Sequence, residues 1–228
     1  MKHILSVGGS GALGSKVVSG LRGHAVVNVD FKEHPDAAHN ILLNSSLSSQ
    51  DNNRNAIKSL KELGKSFDTM VVTAGGWVGG SIAEPEYFQK VRQMSQVNLH
   101  PCLLTAHLAT QTLLNPKGLV IFTGAAAVYK EPQPDMLAYA LAKTGVHSLA
   151  TSLASKLKED QSVVTMLPDV IDTPANREGM PKANFSKWAR PESMGELVRS
   201  WVEGLNVPPN GSFVFLKVKD GCVMPELA

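Results

Sequence analysis

The feature that most constrains this chain is an alternation. Short apolar runs near residues 4–7, 25–29, 68–73, 119–123, 163–167 and 213–218 are separated by stretches with helical spacing at 12–22, 57–63, 86–114, 137–157 and 192–205. Runs that are apolar on both sides suit strands covered on both faces, and a helix between successive strands is what a parallel connection requires. The expected architecture is therefore α/β: a single domain over residues 1–228, with a doubly wound parallel sheet of about seven strands and helices on both faces. Such sheets bind ligands outside the carboxyl ends of their strands. The polar run NSSLSSQDNNRN at 44–55 is short, and the alternation resumes on both sides, so it reads as a surface loop rather than a domain boundary. Gly64 suits a left-handed helix cap, and Pro101 is expected to interrupt the long helical stretch.

Composition narrows the function classes. With 43% hydrophobic and 18% charged residues, a chain of 228 can bury a sizeable core. The formal net charge is +2 and the basic residues do not cluster, which argues against a nucleic-acid partner. No apolar stretch reaches the ~18 residues of a membrane span, and the amino terminus reaches glycines too soon for a signal-peptide core. Two cysteines, Cys102 and Cys222, cannot build a disulfide framework. A soluble cytoplasmic protein is expected. The seven histidines show no metal-ligand spacing, so no metal is expected, and His147 reads as structural.

The first run leads into Gly8-Gly9-Ser10-Gly11-Ala12-Leu13-Gly14, and a helix follows. Glycines permit close backbone approach, and a helix amino terminus offers free N–H groups and partial positive charge, the combination that holds a dinucleotide pyrophosphate. The second run ends at Asp30, 22 residues after Gly8. An acid there can accept hydrogen bonds from the adenosine ribose hydroxyls and repel a 2′-phosphate. This favours NADH over NADPH in a Rossmann-type domain, although Lys32 is a nearby cation able to tolerate the phosphate.

Tyr139 and Lys143 stand four residues apart on one helix face, with small residues between them. A phenol titrates near pH ~10, and a nearby ammonium favours its ionised form. The pair is expected to donate a proton to a substrate that receives hydride, with Tyr139 the donor. Lys143 can also hold a ribose. A third feature is VVTAGGWVGG at 71–80, where Trp77 is set among glycines just past a strand end. Glycines offer an indole little to pack against, so Trp77 reads as a contact for a flat ligand rather than as core.

Together the loop at 8–14, the turn Thr73-Ala74-Gly75, the Tyr139/Lys143 pair and the segment PDVIDT from Pro168 resemble the short-chain dehydrogenase/reductase family over nearly the whole chain. The resemblance implies that Ala74, Gly75 and Gly76 lie beside the adenine and ribose, and that Pro168 lines the nicotinamide. It also implies a substrate lid over about 168–190, an Asn98 that helps order a water near Lys143, and a homodimer paired through the helices at 86–114 and 137–157. The sequence departs from the family twice. Ala12 replaces the usual second glycine, and Gly124-Ala125-Ala126-Ala127 stands where a catalytic Ser is usual. The dihydropteridine reductase branch shows both departures, and GGSGALGS, TAGGWVGG, AYALAKTGVHSLA and LPDVIDTPANR are similar to it. That branch implies a quinonoid dihydropterin as substrate, resting near Trp77 and Tyr139, with NADH as reductant. An electron-poor conjugated imine needs a proton more than a polarised carbonyl, which accounts for the missing Ser. Two other readings stand beside this one: a carbonyl reductase with another substrate, and a dinucleotide-sensing protein without chemistry.

Overall fold

A computed structural model of the chain describes residues 1–219 and 221–228, with the backbone alone at Thr112. The elements on the first half are β1 (His3–Val7), α1 (Ala12–Gly20), β2 (Ala25–Asp30), β3 (His39–Leu42), α2 (Ser49–Glu62), β4 (Phe67–Val72), α3 (Tyr87–Met94) and α4 (His100–Leu108). The second half supplies β5 (Leu114–Thr123), α5 (Ala126–Lys130), α6 (Leu137–Ala154), β6 (Ser162–Pro168), α7 (Pro174–Gly179), α8 (Pro191–Val202), β7 (Phe213–Lys219) and β8 (Cys222–Leu227). The strands form one sheet in the order β3-β2-β1-β4-β5-β6-β7-β8. Pairings from β3 to β7 are all parallel, and β8 closes the edge antiparallel to β7.

The chain steps outward from β1 to β3, then returns to β4 on the other side of β1. The crevice at that reversal is where ligands bind in sheets of this kind. It is bordered by the carboxyl ends of the parallel strands, so Gly8, Asp30, Thr73, Gly124 and Pro168 arrive at one edge. Helices cover both faces, as the alternation predicts. Leu13, Val17 and Val18 of α1, with Leu21 just past its end, pack with Val198 and Trp201 of α8 on one face. Leu60 of α2, Leu108 of α4, and Val146 and Leu153 of α6 pack against Phe67 and Phe122 on the other. A third, smaller cluster joins Met94, Ala138 and Ala142, with Val78, Val91 and Tyr139 packed against it. Among the described residues no helix is long and apolar enough to cross a membrane.

The structure departs from the sequence expectation in a few places. Two strands, β3 and β8, go beyond the runs read from the sequence. The stretch 86–114 is helical without a break over 87–113, as expected, but the interruption expected at Pro101 is absent: π-helical turns at Ser95–Leu99 and Ala109–Leu113 flank α4 within it. Pro101 lies in the first turn of α4, directly after the π-helical turn, and the helix runs on through it. Strand β5 begins at Leu114, five residues early; its register with β4 breaks before Leu119, and Lys117 takes φ 60 within the irregular stretch.

Candidate functional site

The glycine loop is tight where its neighbours are backbone and open where a ligand would enter. Gly8 takes φ +88, and a Cβ there would stand 2.3 Å from Ala74 N; one on Gly14 would stand 2.0 Å from Gly8 O. At Gly11 the nearest atom would be 3.5 Å away, an ordinary contact. Gly11 caps α1 without a side-chain hydrogen bond, so the first N–H groups of the helix have no intrahelical partner. This is a cradle for an anion, and it fits a dinucleotide pyrophosphate. The amides of Gly9 and Ser10, by contrast, point into the protein. Gly9 N donates to Asn28 Oδ1 at 3.1 Å and Ser10 N to Asp30 Oδ2 at 2.8 Å. The donors left for phosphate belong to Ala12, Leu13 and Gly14.

Asn28 is a residue the sequence reading missed. It is fully buried in β2, and its Nδ2 donates to Ser10 Oγ, Lys32 O and Asn40 Oδ1. One side chain thus ties the glycine loop to the turn after Asp30. An Asn inside an otherwise apolar strand was the available signal. Asp30 stands at the end of β2, as expected, with Oδ1 accepting from Phe31 N at 2.6 Å. Each carboxylate oxygen has capacity for a further hydrogen bond.

The turn after β4 is fixed by Asn98, which is buried in the π-helical turn. Its Nδ2 donates to Gly76 O at 3.0 Å and its Oδ1 accepts from Gly76 N at 3.3 Å, as a partner strand would. A Cβ on Gly75 would lie 3.0 Å from Asn98 Oδ1 and 3.8 Å from Lys143 Nζ. The side chain of Asn98 therefore holds the Gly75–Gly76 backbone. Trp77 follows and is 61% exposed. The expectation that glycines give it nothing to pack against is corrected. The indole Cη2 would lie 3.1 Å from a Cβ on Gly79, and Nε1 donates to Met136 Sδ at 3.4 Å. Gly80 N donates to Asp135 O at 2.7 Å, so the loop is tied to the start of α6.

On α6, Tyr139 and Lys143 share a face, with Lys143 Nζ 5.8 Å from the phenol ring centroid. Lys143 is 4% exposed, and its Nζ donates to Thr123 O at 2.7 Å. Burial pulls its pKa down to about 8. Burial also pushes the Tyr139 phenol up to about 12. The expected lowering of Tyr139 by Lys143 is absent from the chain by itself, because desolvation of the phenol prevails over a cation at this distance. Thr123 was the nearby hydroxyl in the Ser-less segment; its Oγ1 donates to Val72 O at 2.9 Å and is spent on the sheet. The segment at 124–127 thus presents no hydroxyl. Cys102 is buried, its thiol pushed up to about 12 by desolvation, which leaves it unreactive.

Pro168 ends β6 at the same edge, and the following segment leaves the core. Between residues 169 and 187 none is buried, and Trp188 and Ala189 re-anchor the chain. Within the segment, Thr173 caps α7 and the Asp172–Arg177 ion pair braces it, with the Arg177 guanidinium over the Phe185 ring. Among the described residues no group of His, Cys, Asp and Glu could hold a metal ion.

The family model described as short chain dehydrogenase matches residues 2–184. A dihydropteridine reductase from Dictyostelium discoideum is 33% identical over 224 residues, covering 96% of this chain and 95% of that protein. A short-chain dehydrogenase family protein from Francisella tularensis superposes with TM-score 0.81 at 23% identity, over 95% of this chain and 97% of that one. BdcA, solved in complex with NADPH, gives TM-score 0.76 at 21% identity, over 98% and 96%. These structural likenesses agree with the fold. With its glycine cradle, its Tyr139/Lys143 helix and its sheet order, the chain belongs to the short-chain dehydrogenase family, oxidoreductases that bind NAD(P)H.

Proposed function

We propose that the chain reduces quinonoid dihydropteridine, such as dihydrobiopterin, to the tetrahydro form with NADH. The observation that carries this reading is the Ser-less strand end beside an intact Tyr139/Lys143 pair. Thr123 Oγ1 is committed to Val72 O, so nothing at 123–127 offers a hydroxyl to polarise a carbonyl. A substrate already inclined to accept hydride suits such a site, and the full-length likeness to a dihydropteridine reductase supports the same class.

In this reading the pyrophosphate is held by the open N–H groups of α1 in the loop at 8–14. Asp30 accepts from the ribose hydroxyls and excludes a 2′-phosphate. Ala74, Gly75 and Gly76 border the adenosine, and Lys143 and Pro168 border the nicotinamide end. The bound dinucleotide supplies the hydride. Tyr139 Oη delivers the proton, and the Lys143 ammonium, whose pKa burial lowers to about 8, keeps the phenol and ribose in register. Trp77 offers its exposed indole to the pterin ring, and the segment at 168–190 closes over it. The family likeness supports a cytoplasmic homodimer paired through the helices at 86–114 and 137–157, on which Leu103 and Leu141 are exposed.

The test is steady-state reduction of quinonoid dihydropterin with NADH and with NADPH, beside a simple aromatic ketone. Turnover of the pterin with NADH preferred is the expected result. An enzyme that reduces the ketone well and ignores the pterin overturns the assignment.

A further inference from the structure

Two side chains of α6, one helical turn apart, hold the end of β5 from either side of Gly124. Lys143 Nζ donates to Thr123 O at 2.7 Å, and Ala125 N donates to His147 Nε2 at 3.3 Å. The fit between them is close. A Cβ on Gly124 would stand 2.5 Å from His147 Nε2 and 2.8 Å from Leu167 Cδ2. The imidazole is itself walled by Tyr129 and Phe213, with ring centroids 5.8 and 5.5 Å away. Ala125 is the N-cap residue of α5, and that helix has no side-chain cap of its own. The first turn of α5, at 126–127, is the apolar wall that stands where the family Ser would be.

Because an amide N–H can only donate, Nε2 must present a lone pair, which places the proton on Nδ1 of a neutral imidazole. Burial and the neighbouring Lys143 ammonium both hold the ring in that form, with a pKa near 4. We infer that His147 is a positioning residue: its Nε2, working with Lys143, sets the α5 wall at 125–127 against Tyr139. The inference rests on the reading of this site given above. Without a hydroxyl to grip the substrate, the site orients a flat ring through the placement of its wall, and small misplacements of reacting groups are costly in rate.

The experiment compares wild type with His147→Phe, which keeps an aromatic ring and lacks the acceptor, and His147→Gln, which keeps an acceptor. Melting temperature, the Kd for NADH, kcat and KM for quinonoid dihydropterin, and the NMR shift of the Ala125 amide are read for each. The Phe variant is expected to hold NADH within ~3-fold while kcat falls ~10-fold or more and the Ala125 amide moves. The Gln variant is expected to return both toward wild type. Should the Phe variant not fold, His147→Asn, too short to reach Ala125, takes its place. Unchanged kcat in the Phe or Asn variant, or a Gln variant that loses kcat equally, overturns the role. If wild type does not reduce the pterin, the functional reading fails separately. The same variants are then compared on the carbonyl substrate that wild type does reduce, and the Ala125 amide shift is independent of either.

Discussion

Lys143 Nζ donates to the carbonyl oxygen of Thr123 at 2.7 Å, so a buried cation of the candidate site is bonded to the strand that lacks the family Ser. Burial holds this ammonium at about 8 against an unfolded value near ~10.4. Below pH 8 both states carry the proton and the desolvation penalty is constant. Between about 8 and 10.4 the unfolded chain binds more protons than the native one, so this group's contribution to stability improves as pH rises. Lys143→Met is therefore expected to keep or raise the melting temperature at pH 7, to remove that alkaline gain, and to lower kcat/KM by ~10²-fold or more. A fall of several degrees at pH 7 contradicts the penalty argued from burial.

Tyr139 packs its ring in the small cluster with Met94, Ala138 and Ala142. Tyr139→Phe keeps that packing and loses only the hydroxyl. We expect an unchanged melting temperature and a kcat loss near ~10²-fold, the low end for a positioned general acid, because the proposed substrate is already activated. Circular-dichroism melts beside steady-state rates separate the two effects.

Asp30 accepts from Ser10 N and Phe31 N at the carboxyl end of β2, where the proposed cofactor's ribose would lie. Asp30→Ser is expected to lower the preference for NADH over NADPH by at least ~10-fold, about 1.4 kcal/mol. The ratio of kcat/KM for the two cofactors measures it, and an unchanged ratio removes Asp30 from the discrimination.

Trp77 and Trp201 offer an internal contrast, 61% and 2% exposed. Truncating a buried Trp to Ala costs about 3–5 kcal/mol, so Trp201→Ala is expected to destabilise strongly. Trp77→Ala is expected to leave the melt nearly intact and to raise KM for the pterin. Thermal melts of the two variants, read beside Trp77→Ala kinetics, decide between a ligand contact and a structural indole.

The strands that the sequence makes plain are those with continuous apolar runs: β1, β2, β4, β6, β7 and the second half of β5. β3, HNIL, is four residues with two polar positions, too brief for periodicity to register. β8 carries Pro225, which demotes a run as a strand but is tolerated at a sheet edge. In β5, Pro116 and Gly118 read as punctuation and the irregular register hides the early start. The glycine loop, Tyr139 with Lys143, and Trp77 can be picked out because their spacing along the chain carries the chemistry. Asn28 shows only as an Asn inside an otherwise apolar strand, and Met136 and His147 not at all, since what each does is defined by a partner on another element: Gly9 and Ser10, the Trp77 indole, and Ala125.

The seat that Gly124 occupies between His147 and Leu167 also governs mutational history. Any side chain at 124 collides with an imidazole that cannot withdraw without releasing Ala125. Substitutions at neighbours in contact are not additive: a change at 124 is coupled to His147 on one side and to Leu167, whose Cδ2 would stand 2.8 Å from the same Cβ, on the other. A side chain at 124 needs room made at both 147 and 167 before it, or together with it, so the strand end is guarded by the order in which mutations can arrive.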